Sequence, residues 1–299
     1  MKNCLIIINP SAGKHIIQHK LDKIIGQLIL KKIIKNIDIF YTEKKNDAYN
    51  KAKEANEENY DFIMSVGGDG TLNEVISGMI DSHKHIPLCI LSAGTVNDFA
   101  NYLNLPRSVS GIVKMISDYQ VISSDVGKIN DCYFINVAAG GMFSDISFVV
   151  SKSDKKKYGP LAYYIKAMQD LPQQLRTNLQ LSIQIDDRKL DIDAYMFGIT
   201  NTKRVGGFDN IIPFADINDG KLDLMVIKKC SLTDLIALFK DYRFGKHQKS
   251  PFIEYIQGEK ITISCKNTDL IMDVDGEKGC SLPIQTCILK KAINVMIPK

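Results

Sequence analysis

The chain has 299 residues, a length that favours two domains over one. With 45% hydrophobic and 24% charged residues, its composition is that of an ordinary soluble globular protein rather than a disordered one. The net charge of +4 is mild, and no basic stretch carries interleaved aromatic residues, so nucleic-acid binding is not expected.

The cysteines and the apolar runs indicate where the protein works. Seven cysteines are scattered along the chain and none lies in a C-x-x-C pair, which favours reduced thiols over disulfides or a zinc site. The apolar run Cys4–Ile8 is too short for a signal peptide, and no run approaches the roughly 18 residues that span a bilayer. We therefore expect a cytoplasmic protein without a transmembrane segment.

Strands and helices alternate from the N-terminus to about residue 122. Apolar segments without regular alternation predict strands at 4–8, 37–41, 60–66 and 87–91, and the first of them is continuous. Between them, apolar residues recur at helical spacing; Asp47 is predicted to cap one helix, and another is predicted from about Leu72. Apolar runs joined by helices indicate a parallel sheet that is covered on both faces.

The second half of the chain follows a different pattern. Apolar and other residues alternate at 179–185 and again at 190–194, on either side of the turn Asp186–Asp187. This pattern predicts a hairpin. Further alternation occurs at 260–265, 270–274 and 293–297, and one helix is predicted at 232–239 after Ser231. We predict an α/β domain over residues 1–124 and an antiparallel β-sandwich domain over 125–285. The last strand, about 286–299, could return to the first domain.

Three polar loops that carry glycine follow predicted strands of the first domain. They are Asn9–Lys14, Gly67–Thr71 and Ser92–Asp98. Because open α/β sheets bind ligands at the carboxyl ends of their strands, we expect the three loops to meet there. In the second loop, three glycines surround Asp69 between a strand and a helix, an arrangement that suits a phosphate group.

The common nucleotide and hydrolase motifs do not fit. Gly13–Lys14–His15 lacks the spacing and the hydroxyl of a Walker loop, and Asn73 stands where a dinucleotide fingerprint needs its third glycine. None of the five histidines lies in a recognised catalytic context.

Taken in order, these segments carry a resemblance to a known family. Asn9-Pro10 with Gly13, Gly67–Thr71, Gly94–Ala100 and Asp275–Glu277 together resemble the diacylglycerol kinase catalytic-domain family, which includes bacterial soluble lipid kinases related to sphingosine and ceramide kinases. NAD kinases share the second loop, but the third loop favours the lipid kinases. The resemblance implies an active site in the cleft between the two domains.

The resemblance implies ATP and Mg²⁺ as cofactors. The residues implied to hold ATP are Asn9, Pro10, Ser11, Ala12, Gly13, Thr42, Gly67, Gly68, Asp69, Gly70, Thr71, Leu72, Asn73 and Thr95. Asp69 is implied to organise Mg²⁺, with Asp98 and Asp125 in a network around it. Asp98 could instead be a helix N-cap. Glu277 is implied as the general base, and Asp69 is the rival candidate.

A second metal site is implied at residues 216–221. It would use the side chain of Asp219 and the main-chain carbonyls of Asp216 and Lys221. The alternative for this segment is a plain Asp-Gly β-turn.

The function implied is a lipid kinase that converts diacylglycerol to phosphatidic acid. Alternatives are phosphatidylglycerol or a sphingoid base as substrate, a NAD kinase, or a regulator without turnover. We expect peripheral contact with the membrane, and the resemblance admits a homodimer. Lys152 and Lys155–Lys157 could touch anionic headgroups or form a merely solvated loop. Asn101 departs from the pattern because many relatives have arginine there.

Overall fold

A computed structural model describes residues 1–12, 14–142, 178–243 and 246–299, with the backbone alone at 14–18, 239 and 243. The predicted contacts of Gly13, Lys152 and Lys155–Lys157 therefore lie outside the described residues. The chain divides into two compact units. One comprises Met1–Asp125 and Lys290–Lys299, and the other comprises Val126–Leu289.

The first unit is built from alternating strands and helices. In chain order they are β1 (Lys2–Ile8), α1 (Lys14–Leu30), β2 (Ile34–Tyr41), α2 (Asp47–Glu54), β3 (Phe62–Gly67), α3 (Asp69–Asp81), β4 (Leu88–Ser92), α4 (Asp98–Tyr102), α5 (Val109–Ser117) and the start of β5 (Tyr119–Ile129). The end of the last strand, β15 (Ile284–Pro298), also belongs to this unit. The predicted α/β alternation is confirmed.

The strands of the first unit form a parallel sheet in the order β2-β1-β3-β4-β15. Cys4–Ile8 pairs with β3 on one side and with β2 on the other. The side chains of β1 from Cys4 onward and all those of β3 are buried, because helices cover the sheet. Burial on both faces of the sheet explains why these strand sequences are mostly apolar and do not alternate.

The chain leaves β1 and β3 in opposite directions along the sheet. The connection through α1 leads from β1 outward to β2, whereas the connection through α3 leads from β3 to β4. Helices α2 and α3 pack together, and so do α1 and α5. The point between β1 and β3 is therefore a topological switch point, where open α/β sheets bind their ligands.

Two predicted helix starts are corrected by the structure. Helix α3 begins at Asp69, three residues before Leu72, so most of the glycine loop already belongs to the first helical turn. Asp47 does not cap α2, whose N-cap is Asn46. Instead, the Asp47 carboxylate accepts the N–H groups of Glu43 and Lys44, both at 2.9 Å, and these bonds lower its pKa.

The second unit is an antiparallel β structure. Its strands are the end of β5, β6 (Cys132–Phe134), β7 (Val137–Gly141), β8 (Leu179–Ile185), β9 (Arg188–Thr200), β10 (Leu222–Lys228), β11 (Ile253–Gly258), β12 (Lys260–Cys265), β13 (Ile271–Val274), β14 (Glu277–Ser281) and the start of β15. One α-helix, α6 (Leu232–Arg243), follows β10. The predicted hairpin is confirmed as β8 and β9, which turn at Asp186–Asp187.

One large apolar cluster fills this second unit. Inward residues alternate with outward ones along β8, where Leu179, Leu181, Ile183 and Ile185 are all buried. The predicted helix at 232–239 is confirmed as α6, and the Asp234 carboxylate accepts the Ser231 N–H at 3.3 Å. Among the residues that the structure describes, no helix is long and apolar enough to cross a bilayer.

Candidate active site

The loop after β1 is tied to the start of α3 by Asn9. Its side-chain Nδ2 donates to Thr71 Oγ1 at 2.9 Å, and its Oδ1 accepts the Ser11 N–H at 3.0 Å. Its own main-chain N–H donates to the Val66 carbonyl of β3 at 2.9 Å. An asparagine suits this position because its amide carries both a donor and an acceptor. The first and second loops therefore meet at the switch point.

The glycine loop leaves the start of α3 open. Strand β3 ends at Gly67, and Gly68 is the N-cap of α3, with extended backbone and no side chain that caps the helix. The first N–H groups of a helix have no partner within it, and they lie at the positive end of the helix dipole. This start of α3 is therefore suited to hold an anion such as a phosphate.

Asp69 fixes the third loop, which follows β4. Its Oδ2 accepts the main-chain N–H of Asn97 at 2.9 Å. Asn97 has φ 53° and closes the loop through its own side chain, which accepts from the Gly94 N–H at 2.9 Å and donates to the Gly94 carbonyl at 2.7 Å. The structure thus brings Asp69 together with the third loop.

The second and third loops approach so closely that both require glycine. A Cβ on Gly94 would lie 2.8 Å from the Gly68 Cα, and a Cβ on Gly68 would lie 3.2 Å from the Gly94 Cα. A small pocket adjoins this contact. It is lined by Ser65, Gly67, Gly68, Asp69, Leu72, Ile90, Ser92, Asn97 and Ala100.

Replacing Gly94 with alanine is expected to push the third loop away from Gly68, because the new Cβ would meet backbone that cannot yield cheaply. We expect ATP affinity to fall by about tenfold and the free energy of unfolding to fall by about 1–3 kcal/mol. Nucleotide titration and thermal melts measure the two effects. Gly26→Ala is the matched control, because its Cβ meets nothing within 4 Å. Alanine is also the better helix former, so the free energy of unfolding should rise by about 1 kcal/mol. Equal ATP affinity in Gly94→Ala and wild type would contradict the prediction.

The remaining residues predicted to hold ATP lie around these loops. Thr71 and Leu72 are buried in α3, and the Leu72 N–H donates to the Gly68 carbonyl at 3.0 Å. Ser77 donates to the Asn73 side chain at 3.3 Å, and the Thr42 N–H donates to the Ile8 carbonyl at 2.9 Å. The others differ in exposure: Pro10, Ser11 and Thr95 are exposed, whereas Ala12 and Gly70 are half-buried.

Asp98 and Asp125 are both buried. Asp98 is the first residue of α4, after Asn97 as N-cap. Asp125 Oδ1 accepts the N–H of Lys291, a residue within β15 that has φ 51°, at 2.6 Å. Asp125 therefore anchors β15, and the roles of both carboxylates near a metal stay predictions.

Glu277 follows a turn that two aspartates hold rigid. The carboxylate of Asp275 accepts the N–H groups of Ile135, Asn136 and Val137 at 2.7, 2.9 and 3.0 Å. Asp273 Oδ1 accepts the Gly276 N–H at 2.8 Å. Glu277, the first residue of β14, is exposed and pairs with Val274. This turn presents the Glu277 carboxylate to solvent from a fixed backbone.

The segment predicted to hold a second metal forms a pair of local turns. Asp216 Oδ1 accepts the Asn218 N–H at 3.0 Å, and Asp219 Oδ1 accepts the Lys221 N–H at 2.9 Å. Both aspartates are exposed. In the described ranges, no group of three or more His, Cys, Asp or Glu side chains could hold a metal ion. The predicted set has only one carboxylate and two carbonyls, and it stays a prediction.

Asp223, a fully buried carboxylate beside this segment, was not predicted from the sequence. Gln257 donates to its Oδ1 at 2.7 Å and to Asp219 Oδ2 at 3.4 Å, and Tyr255 also donates to Asp223 Oδ1. Within the described residues, Asp223 Oδ2 is buried without a hydrogen-bond partner. Burial raises the pKa of this carboxyl. The Leu222-Asp223-Leu224 segment after Gly220 resembles an ordinary strand start, so no local signal marks Asp223.

Comparison with known proteins bears on these loops directly. A family model for the diacylglycerol kinase catalytic domain matches residues 3–129, and one for the YegS C-terminal NAD kinase beta sandwich-like domain matches residues 137–297. A diacylglycerol kinase of Staphylococcus saprophyticus is 35% identical over 297 residues, which cover 99% of this chain and 96% of that protein. The chain belongs to the diacylglycerol kinase catalytic-domain family. It is therefore a kinase, and the predicted family is confirmed.

Further relatives agree with this membership. A diacylglycerol kinase of Staphylococcus aureus strain JH9 is 35% identical over 99% of this chain and 93% of that protein. The crystal structure of a diacylglycerol kinase from Bacillus anthracis strain Sterne matches with a TM-score of 0.76 at 25% identity, over 98% of this chain and 96% of that chain. Another structure from the same organism reaches a TM-score of 0.83 at 27% identity, over 98% and 94% of the two chains. The predicted α/β domain followed by a β-sandwich is confirmed.

Proposed function

We propose that this kinase transfers the γ-phosphate of ATP to the free hydroxyl of diacylglycerol and so produces phosphatidic acid. The observation that carries the proposal is the meeting of three polar loops at the switch point of the first unit, in a chain whose relatives are named diacylglycerol kinases. A phosphoryl donor needs such a site, because its phosphates must be held and neutralised before transfer.

The loops fit the phosphates of ATP. The open start of α3 offers main-chain N–H groups, and the close approach of Gly68 to Gly94 leaves no side chain between backbone and ligand. The residues proposed to hold ATP are those of the sequence prediction from Asn9 to Ala12 and from Gly67 to Asn73, with Thr42 and Thr95.

Asp69 is the residue proposed to hold Mg²⁺, with Asp98 and Asp125 as the other members of its network. Its Oδ2 accepts the Asn97 N–H, and a carboxylate has further lone pairs that can bind a cation or its water. When bound, Mg²⁺ would neutralise the charge of the phosphates. Asp69 would thus link the third loop to the phosphate site.

The proposed base is Glu277. Its carboxylate takes the proton of the lipid hydroxyl as the hydroxyl oxygen forms a bond to the γ-phosphorus, and the bond from that phosphorus to the bridging oxygen breaks and releases ADP. The hydrogen bonds of Asp275 and Asp273 hold the turn before Glu277, so little backbone freedom must be lost at the transition state. Asp69 is the alternative base.

A structural Mg²⁺ is proposed at Asp219, with the carbonyls of Asp216 and Lys221. The chemistry of the neighbourhood fits a cation, because the buried Oδ2 of Asp223 has no partner within the described residues and Asp219 is close enough to raise the Asp223 pKa. A cation here would stabilise two carboxylates that otherwise repel each other.

The lipid substrate implies that the protein works in the cytoplasm at the membrane surface, in peripheral contact with it. Phosphatidylglycerol or a sphingoid base are alternative lipid substrates. One observation favours NAD as a further candidate, since the model that matches residues 137–297 describes a sandwich like that of NAD kinases.

The test is an assay of the purified protein with labelled ATP and Mg²⁺, offered diacylglycerol, phosphatidylglycerol, sphingosine, ceramide or NAD separately. We expect labelled phosphatidic acid at a rate that far exceeds every other product. If NAD alone gives a labelled product, the protein is a NAD kinase and the proposed function is wrong. ATP binding without any labelled product would leave a regulator without turnover.

A further inference from the structure

Four residues on neighbouring strands of the second unit form one row across the sheet. Thr200 of β9 pairs with Val137 of β7 on one side and with Asp223 of β10 on the other. Asp223 pairs in turn with Gln257 of β11. Residues directly opposite each other in antiparallel strands point their side chains to the same face, with Cβ atoms about 5 Å apart. The side chains of Thr200 and Asp223 are therefore neighbours in the middle of this row.

The Thr200–Asp223 pair is buried, and each side chain carries an oxygen atom without a partner. The exposed fraction is 2% for Thr200 and 0% for Asp223. Within the described residues, neither Thr200 Oγ1 nor Asp223 Oδ2 has a hydrogen-bond partner, so the two atoms do not bond to each other either. Buried polar atoms are nearly always satisfied, because water has been removed from them at a cost in free energy. Two such atoms on opposite residues indicate that a polar ligand binds between them.

The charges around the Thr200–Asp223 pair favour a cation as that ligand. The other oxygen of Asp223, Oδ1, already accepts hydrogen bonds from Tyr255 and from Gln257 Nε2, the latter at 2.7 Å. Gln257 Nε2 also donates to Asp219 Oδ2 at 3.4 Å, so one amide group contacts two carboxylates. Carboxylates held this close repel each other, and a cation that binds between them removes the repulsion.

We propose that Asp223 Oδ2 and Thr200 Oγ1 bind a divalent cation between β9 and β10. Mg²⁺ and Mn²⁺ take oxygen ligands, and waters fill the positions that the protein leaves open. The inference rests on the proposed function, which places a cation at Asp219, and it assigns to that ion two buried ligands on the strands. The loop at 216–221 is exposed at all three of its proposed ligand residues. The sheet, in contrast, holds the two strand ligands in place before the ion binds, so less conformational freedom is lost.

The test measures the binding of the ion alone to the full chain, without ATP or lipid. Equilibrium dialysis with Mn²⁺ gives the number of bound ions and their Kd, and a thermal melt gives the stabilisation by the ion. Asp223→Asn is expected to raise the Kd of one Mn²⁺ by at least about tenfold, because asparagine keeps an acceptor for Tyr255 and Gln257 but loses the charge. Thr200→Val removes only the hydroxyl and is expected to raise the same Kd by about threefold.

The variant Thr200→Val also separates loss of the ion from loss of the fold. Replacing an unpartnered buried hydroxyl with a methyl group of the same shape is close to neutral for stability. We therefore expect Thr200→Val without metal to melt at or above the wild-type temperature, and to gain less than the wild type when Mn²⁺ is added. This variant keeps the test decisive if Asp223→Asn does not fold.

Two exposed residues of the same unit supply matched controls. Asp193→Asn on β9 removes the same charge as Asp223→Asn, and Thr262→Val on β12 removes the same hydroxyl as Thr200→Val. Both control variants should bind Mn²⁺ with the wild-type Kd. Asp219→Asn should weaken the same ion that Asp223→Asn weakens.

Terbium luminescence locates the ion by an independent measurement. The chain has no tryptophan, so a bound Tb³⁺ ion is excited through nearby tyrosines. Tyr255 donates to the carboxylate of Asp223 and so lies beside the proposed ion. Tyr255→Phe should remove most of the luminescence that Asp223→Asn also removes, and an unchanged signal in both variants would place the ion elsewhere.

The outcomes distinguish this inference from the proposed function. If Asp219→Asn weakens Mn²⁺ binding while Asp223→Asn and Thr200→Val bind like the wild type, the loop holds the ion without the strands and the inference is wrong. Equal Mn²⁺ binding in all variants also overturns it, because a buried water then satisfies the two oxygens. A protein that phosphorylates only NAD would lose its proposed function, yet the ion measurements would stand, since they need neither nucleotide nor turnover.

Discussion

Replacing Asp69 with asparagine is expected to lower kcat for lipid phosphorylation by about a thousandfold and to leave the fold intact. The amide oxygen of asparagine can still accept the Asn97 N–H, so the third loop keeps its anchor. The negative charge is lost, however, and with it the proposed ligand of Mg²⁺. Electrostatic and metal contributions of this kind are worth several kcal/mol at the transition state. Steady-state kinetics with labelled ATP, together with a thermal melt, measure both effects.

The comparison between two variants at this position separates the roles of Asp69. Asp69→Ala removes the acceptor as well as the charge, so it should lower the melting temperature, whereas Asp69→Asn should not. Asp22→Asn, on the exposed face of α1, removes the same charge elsewhere and should leave kcat unchanged. A kcat for Asp69→Asn within threefold of the wild-type value, roughly 0.7 kcal/mol, would remove Asp69 from the phosphate site.

The architecture of the first unit could be predicted because its signals are local. Strands β1 and β3 are largely buried on both faces, so their sequences are mostly apolar without alternation, and glycines mark the point where β3 passes into α3. The sequence misjudged the start of that helix because Asp69 and Gly70 are weak helix formers. An aspartate in a first turn is favoured by the helix dipole, and this local effect outweighs propensity.

The contacts that assemble the site could not be predicted, because they join residues that are far apart along the chain. Asn9 and Thr71 meet only once β1 lies beside β3, and Asp275 meets the start of β7 across about half the chain. Glu74 of α3 shows the same limit. Its carboxylate accepts the Asn46 N–H at 3.0 Å, and no residue near Glu74 in the sequence indicates that bond. Such contacts depend on which strands pair, and no local sequence pattern specifies that pairing.

The contact between Asn101 and Arg107 also escaped the sequence, although the two residues are near each other along the chain. The sequence identified Asn101 only as a departure from the family pattern, which suggested a missing cation. The structure places the guanidinium of Arg107 against that same side chain, six positions further along the chain. A positive charge is thus present at this end of α4, though it comes from a different residue.

Replacing Glu277 with glutamine is expected to lower kcat by about a hundredfold to ten-thousandfold while the Kd of ATP stays within twofold of the wild-type value. Glutamine keeps the shape of the side chain, and the hydrogen bonds of Asp275 and Asp273 that hold the turn do not depend on its charge. Only the ability to accept the hydroxyl proton is removed. The lipid kinase assay and an ATP titration on the same preparation measure the two quantities.

Lys278→Gln, at the adjacent exposed position of β14, is the control and should retain full activity. A Glu277→Gln protein that turns over at the wild-type rate would transfer the role of base to Asp69, whose carboxylate already lies at the third loop.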